Sequence, residues 1–305
     1  MPEIRIKVPQ EAEGKRVDQF LANYFASDFS RSKIKEFIVQ GLVFVDGEKV
    51  KPKFEIHANQ EIISNFEKTL ESGTRAEKIP IKIVYEDKDL LIINKPAGMV
   101  VHPACGHKSG TLVNALLYHV KHLSKMSGDI RSGIVHRLDK NTSGLMIVAK
   151  NDETHDALAK RFKSRQIEKT YWVFVKGVVD HDEMHCDAPV GRSPHNRRIV
   201  MIRTQDGKES ETFFKVLKRF SNETLLEAKP RTGRMHQIRV HLKHLGYPVM
   251  GDKEYGVASS LIGRQALHAK ALSFIHPSTK KKISVESDIP VDMKKLMKSL
   301  QKSLL

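Results

Sequence analysis

Cysteine is nearly absent: the 305-residue chain has only Cys105 and Cys186. Two cysteines cannot build a disulfide framework and are too few for a cysteine-based zinc site. A reducing, cytoplasmic compartment is the expectation that follows. Long apolar runs are missing as well. Stretches such as Leu145 to Ala149 are strand-sized and cannot cross a bilayer. The first residues, Met1-Pro2-Glu3-Ile4-Arg5-Ile6-Lys7, are charged from the start, so no signal peptide is expected. No Walker or Rossmann glycine loop is present, and no G-x-S-x-G elbow, which argues against nucleotide cofactors and against an α/β-hydrolase. There is no internal repeat and no low-complexity tract.

Positive charge, by contrast, is abundant. The net charge is +16, and its distribution is uneven. Residues 1–79 hold 13 basic and 13 acidic side chains, so residues 80–305, with 39 against 23, carry the whole excess. A large basic surface on one part of a chain points to nucleic acid or an anionic membrane. The length favours about two domains.

A first unit is expected over residues 14–65. Val17, Phe20, Leu21 and Phe25 have helical spacing, and Ile34, Phe37 and Ile38 form the stripe of a second helix capped by Ser30 or Ser32. Gly41 is placed to stop that helix. Val43-Phe44-Val45 then leads into Asp46-Gly47, a strong hairpin signal. Arg31, Lys33 and Lys35 run along the second helix and are candidate RNA-binding residues. Residues 66–79 have mixed charge and no periodicity and are expected to be a linker. From residue 80 to 305, short strand-like runs (81–85, 90–94, 145–149, 171–176, 212–217, 224–228) are interrupted by helical patterns at 111–123, 154–165 and 236–245. Without regular βαβ alternation, the expectation is an α+β domain on a mainly antiparallel sheet. A short closing helix is expected over Asp292 to Leu304.

Two polar blocks carry the candidate chemistry. The first is His136-Arg137-Leu138-Asp139-Lys140-Asn141-Thr142-Ser143-Gly144; the second is Arg231-Thr232-Gly233-Arg234-Met235-His236-Gln237-Ile238-Arg239. Together they set one isolated carboxylate, Asp139, among arginines. Basic neighbours keep a carboxylate ionised, and an ionised, positioned carboxylate can act as nucleophile or general base. An ordinary aspartate in a turn is the alternative. Gly144 is read as a tight turn before a strand. His181-Asp182-Glu183-Met184-His185-Cys186 has metal-like composition but no third and fourth ligand at suitable spacing, and reads as a polar hairpin tip. The run from Arg192 to Arg203 is loop-like and basic, so Arg192, Arg197 and Arg198 are further candidates for phosphate contacts.

The first unit, through Val17-Asp18, Ser30-Arg31-Ser32, Gly41 and Val43-Phe44-Val45-Asp46-Gly47, resembles the S4 RNA-binding domain. The string His136-Arg137-Leu138-Asp139-x-x-Thr142-Ser143-Gly144 resembles the signature of the RluA family of pseudouridine synthases. Asn94-Lys95-Pro96-Ala97-Gly98, Lys169-Thr170-Tyr171, Thr232-Gly233-Arg234-x-His236-Gln237-Ile238-Arg239, Gly251-Asp252-x-x-Tyr255-Gly256 and Gln265-Ala266-Leu267-His268-Ala269 follow in the family's order. One departure is Val173, where the family often has alanine. An S4-like front end is usual in the longer members, of the RluC and RluD kind.

The resemblance implies a pseudouridine synthase-like catalytic domain behind a small S4-like α/β domain. It implies isomerisation of uridine in structured RNA to pseudouridine, with no metal and no cofactor. Asp139 would be the catalytic carboxylate, Tyr171 would stack on the uracil, and Arg234 would pair with Asp139. Arg137, Thr142, His236 and Arg239 would bind substrate, Arg137 by filling the space of a displaced uridine. Large-subunit ribosomal RNA is the expected substrate, with transfer RNA as the alternative. A non-catalytic RNA-binding factor in ribosome assembly is the rival from another class. No self-pairing signal appears, so a monomer is expected, without membrane association.

Overall fold

The computed structural model describes residues 4–25, 29, 31–65, 74–103, 107, 109–196 and 199–302. Ser30, residues 66–73 of the expected linker, Cys105, Arg197, Arg198 and Leu304 lie outside the described residues. The chain divides into two compact units, Met1–Arg75 and Ala76–Leu305.

The front unit begins ahead of residue 14. Strand β1 (Ile4–Lys7) precedes helices α1 (Val17–Tyr24) and α2 (Arg31–Val39), followed by β2 (Val43–Val45), β3 (Glu48–Lys49) and β4 (Glu61–Ser64). The antiparallel sheet has the order β1-β4-β2-β3, so the first strand closes against the last. Two bonds end α2, Gly41 N–H to Ile38 O (3.0 Å) and Leu42 N–H to Phe37 O (3.0 Å), the paired closure of a glycine-stopped helix. Ser32 lies inside α2 and is not its cap. Asp46 and Gly47 both have positive φ (49° and 84°), as a two-residue hairpin turn requires. Val17, Leu21, Ile34, Phe37 and Ile62 form the core beneath.

In the second unit, β5 (Lys82–Glu86) and β6 (Leu90–Lys95) form a hairpin, followed by α3 (Leu112–His119), β7 (Ser143–Ala149), α4 (Asp152–Lys163), β8 (Glu168–Lys176) and β9 (Glu183–Cys186). A small hairpin, β10 (Val190–Arg192) and β11 (Val200–Ile202), stands apart from the main sheet. Then come β12 (Thr212–Arg219), β13 (Glu223–Pro230), α5 (Gln237–His244), β14 (Leu267–Ile275), β15 (Lys282–Glu286) and α6 (Val291–Lys302). The sheet runs β5-β6-β7-β14-β8-β13-β12-β9, with β15 also on β14. Among the described strands of this sheet only the β7–β14 pair is parallel, so the α+β, mainly antiparallel architecture holds.

Helices on both faces make the central strands apolar throughout. Leu91, Ile93, Met146 and Val148 pack with α3, while Leu90, Ile92, Leu145 and Ile147 pack with Leu158 of α4. Ile238 and Leu242 of α5 cover Val173, Val175 and Leu226; Met293, Leu296 and Leu300 of α6 cover Phe174 and Leu225.

Several sequence expectations need correction. Gly144 is not a turn: it lies within β7 at φ +119°, and a Cβ there would come within 2.3 Å of Ala269 O. Glycine is required because β14 passes so close. Glu183–Cys186 is an edge strand with Cys186 buried, not a loop tip. The basic run is not a loop throughout, since Arg192 ends β10 and residues 200–202 form β11, paired with it. Residues 77–79, read as linker, are tied to the second unit: Glu77 N–H bonds Asn114 O at 2.9 Å and its carboxylate accepts Gly110 N–H at 3.1 Å.

Candidate active site

A cavity of about 460 Å³ opens where the loop before β7, the first half of β8, the end of β13 and the start of α5 converge. All seven residues expected to be catalytic or substrate-binding line it: Arg137, Asp139, Thr142, Tyr171, Arg234, His236 and Arg239. They come from segments about 100 residues apart, so the sheet brings the two polar blocks together.

Asp139 sits on a loop fixed from behind. His136 accepts Ile147 N–H of β7 through Nε2 (2.9 Å) and packs on Phe162. Burial, and then Lys169, pushes His136 down to about 3, so it is a neutral strut. Thr142 closes the turn with its N–H on Asp139 O (3.1 Å), and its buried hydroxyl accepts Gln265 Nε2 (3.4 Å). Lys95 is fully buried and donates to Pro96 O, Met99 O and Lys140 O at 2.9, 2.9 and 3.1 Å, tying the turn after β6 to the residue following Asp139. Burial pushes Lys95 down to about 7, with the Asp139 charge opposing.

The arginine on Asp139 is Arg239. Its Nη1 donates to Asp139 Oδ2 at 3.2 Å, while Nε and Nη2 grip Asp252 (2.6 and 2.7 Å) and Nη2 also reaches Glu254 (2.7 Å). The expected pair with Arg234 is not formed: Arg234 is exposed and its Nε donates to Glu209 O at 3.1 Å. The reason is the helix start. His236 caps α5 in the left-handed conformation (φ 56°), turning the chain, so Arg234 stays outside while Arg239 enters the interior on α5. Burial alone would lower the Arg239 pKa, but the hydrogen bonds and charge of Asp252, then of Asp139, hold it above the ordinary arginine range. His236 Nε2 faces Asp139 Oδ1 at 3.7 Å. The Asp139 side chain keeps 20% of its surface exposed, enough to meet a substrate.

Tyr171 stands on β8 at the seam of two core clusters. Burial and the Asp139 charge push its hydroxyl above the ordinary tyrosine range, so it stays protonated. Lys169, also on the cavity wall, is pushed down to about 8 by burial. Arg137 is exposed on the cavity wall. Sequence reasoning gives no role to Lys95, Asp252, Glu254 or Tyr255. Their signal is only their place inside motifs, beside Pro96 and after Gly251.

The candidate RNA-binding residues of the front unit are already partnered. Asp18, with no exposed surface, takes Arg16 (3.0 Å), Arg31 (3.2 Å) and Lys35 (3.5 Å). Lys33 pairs with Glu36 (3.1 Å) and lies over the Phe37 ring. Arg192 is exposed at the end of β10.

Asp87, Asp89 and His276 bring possible metal ligands within 4.8 Å of one another. His276 Nδ1 accepts the N–H groups of Ser278 (3.1 Å) and Thr279 (3.0 Å), which puts its hydrogen on Nε2, 3.0 Å from Asp87. A ring nitrogen carrying hydrogen has no free lone pair with which to ligate a metal. The cluster braces the turn between β5 and β6.

Residues 89–244 match the RNA pseudouridylate synthase family and residues 15–62 match the S4 domain. The chain is 41% identical to the uncharacterized RNA pseudouridine synthase YlyB of Bacillus subtilis over 99% of its length and all of that protein. It is 40% identical to the ribosomal large subunit pseudouridine synthase D of Pseudomonas aeruginosa, covering 97% of this chain and 95% of that one. Among solved structures, human RNA pseudouridylate synthase domain containing 1 superposes with a TM-score of 0.57 at 25% identity, over 74% of this chain and 96% of that one. With the motifs in order and both polar blocks in one cavity, the chain belongs to the RNA pseudouridylate synthase family, isomerases of uridine in RNA, and carries an S4 domain ahead of its catalytic unit.

Proposed function

We propose that the protein converts uridines of large-subunit ribosomal RNA to pseudouridine in the cytoplasm, as a monomer and without a metal, and that Asp139 is the reacting carboxylate. The observation that carries the assignment is the setting of Asp139: it faces a cavity, with one oxygen held by a buried arginine and the other facing His236. The ribosomal substrate is supported by the near-full-length likeness to relatives named for the large subunit.

The reaction breaks the uridine N1–C1′ bond, turns the base and joins C5 to C1′. The C5 proton leaves and N1 gains one, so atoms and electrons balance without an added group. Asp139 either removes the sugar 2′ proton or bonds covalently to the substrate; in both cases it must stay ionised and aimed, which Arg239 provides. Tyr171, being protonated, offers a flat face for the uracil and a hydroxyl donor rather than a phenolate base. The target base has to leave its stack, at a cost of about a few kcal/mol. Arg137 at the cavity is positioned to fill the gap. Arg234, Arg192 and the Arg16–Arg31–Lys35 cluster grip phosphates, which position RNA without reading its sequence. Arg197 and Arg198 are assigned the same task.

The test is pseudouridine mapping on protein-free large-subunit ribosomal RNA, by carbodiimide labelling and reverse-transcription stops. Wild-type protein is expected to give stops at discrete uridines. Asp139→Asn should give none while binding the RNA within about threefold, because a phosphate-gripping surface keeps its cations. Equal stops from both proteins would remove Asp139 from the chemistry. Stops on transfer RNA alone would move the substrate.

A further inference from the structure

We propose that Tyr255 is a positioning residue: it fixes His236 so that a ring N–H, and not a lone pair, faces the catalytic carboxylate, and it ties that arrangement to the β10–β11 arm. The proposal rests on the reading of Asp139 given above.

The chain of contacts is short and buried. Val200 N–H of β11 donates to the Tyr255 hydroxyl oxygen at 2.8 Å. The same hydroxyl lies 2.7 Å from His236 Nδ1. Val200 takes one lone pair of the Tyr255 oxygen, and His236 Nδ1 is the acceptor within reach of the Tyr255 proton. In this arrangement the neutral imidazole carries its hydrogen on Nε2, the atom 3.7 Å from Asp139 Oδ1. This gap is long for a hydrogen bond, as such contacts often are before substrate closes a site.

Every charged group around His236 bears on this arrangement. Asp139 comes from the loop before β7, Arg239 from α5, and Asp252 and Glu254 from the segment leading to β14. Burial pushes His236 down, Arg239 adds to that, and the three carboxylates oppose. Glu254 is the competitor for Nδ1, at 3.8 Å, but it is already held by Arg239 at 2.7 Å. His236 is also in the left-handed backbone region, a conformation that needs support from neighbouring contacts. The Tyr255 bond supplies such a contact, and the Tyr255 ring lies edge-on to the imidazole at 5.3 Å and beneath the Arg239 guanidinium at 4.7 Å.

Val190, Val200, Val240 and Tyr255 form one small apolar cluster, so the base of the arm is packed on the helix that carries Arg239.

The experiment is Tyr255→Phe, which keeps the ring and loses only the hydroxyl, compared with His236→Gln and the double variant. Each single change should lower kcat about 10- to 100-fold, the range in which outer partners of a reacting group act, with KM within about threefold. The double should be no worse than His236→Gln. The second readout is the 15N shift of His236 in labelled protein, assigned by its loss in His236→Gln. Wild type should show the Nε2–H form, and Tyr255→Phe should lose it. An Nδ1–H form in the wild type, an unchanged kcat in Tyr255→Phe, or losses that multiply in the double would overturn the proposal. Asp139→Asn run alongside separates the two readings. If it stays active, the Asp139 assignment has failed; if it is dead while Tyr255→Phe is normal, only the relay has.

Discussion

Asp18 in the front unit and Asp139 in the catalytic unit are both aspartates surrounded by cations, with opposite stoichiometry. At Asp18 one fully buried carboxylate serves three cations, Arg16, Arg31 and Lys35, which leaves a surplus of two positive charges on half-exposed side chains. At Asp139 one buried cation, Arg239, serves three carboxylates, Asp139, Asp252 and Glu254, and the partly exposed members, Asp139 and Glu254, are acids. Under the proposed function the two arrangements differ in use: the first presents surplus cations for phosphates, and the second has its cation hold a carboxylate for chemistry.

The largest expected effect breaks the second arrangement. Arg239→Met strands Asp252, which has no exposed side-chain surface, with no cation. Removing one partner of a buried pair costs about 3–5 kcal/mol, so the melting temperature of the catalytic unit should fall by on the order of 10 °C, with isomerisation lost. Arg31→Met is its counterpart, and because Asp18 retains Arg16 and Lys35 it should cost less than about 1 kcal/mol. Calorimetry of both variants checks the contrast. Equal costs would mean that the two clusters are built alike.

Acid should weaken both units. At Asp18 and at Asp252 burial acts to raise the pKa, but their arginines win and hold each carboxyl below the ordinary aspartate range. The folded state therefore binds fewer protons than the unfolded chain in the window between the two values. The stability these groups contribute is complete above an unfolded value near 3.8 and drains away as pH falls through the lower, folded one. Urea midpoints between pH 5 and pH 2 should decline, and Asp18→Asn should flatten the decline of the front unit alone. A pH-independent midpoint would show that neither carboxylate is held low.

What the sequence reveals follows the same division between local and distant effects. The Gly41 stop, the Asp46-Gly47 turn and the apolar runs of β6 and β7 are written within a few residues, and the structure forms them there. Asp139 is visible because its whole string is local. The choice between Arg234 and Arg239 is not, because it depends on the backbone turn at His236 and on Asp252 waiting behind. Gly144 reads as a turn because its reason, the passage of Ala269, lies about 125 residues away. Arg31 and Lys35 read as a free basic face because Asp18 meets them across two helices. Strand β14 escapes the sequence reading: it lies near the middle of the sheet, yet its residues Lys270 and Ser273 interrupt the apolar run.

The smallest expected effect sharpens the first arrangement. If the surplus at Asp18 grips RNA, Arg31→Gln removes one cation from the cluster and leaves the cavity of the catalytic unit intact. The slope of log affinity against log salt should then drop by roughly 0.7–0.9 for each phosphate that is no longer neutralised, with kcat at saturating RNA unchanged. Arg234→Gln should lower the slope similarly, since that side chain is exposed at the cavity and does not hold Asp139. Filter binding across a salt series measures both. An unchanged slope in Arg31→Gln would make the Asp18 cluster a fold-stabilising knot, and the phosphate contacts would then belong to the +16 unit alone. A changed kcat in Arg234→Gln would give that arginine, which lines the cavity without pairing with Asp139, a part in the chemistry.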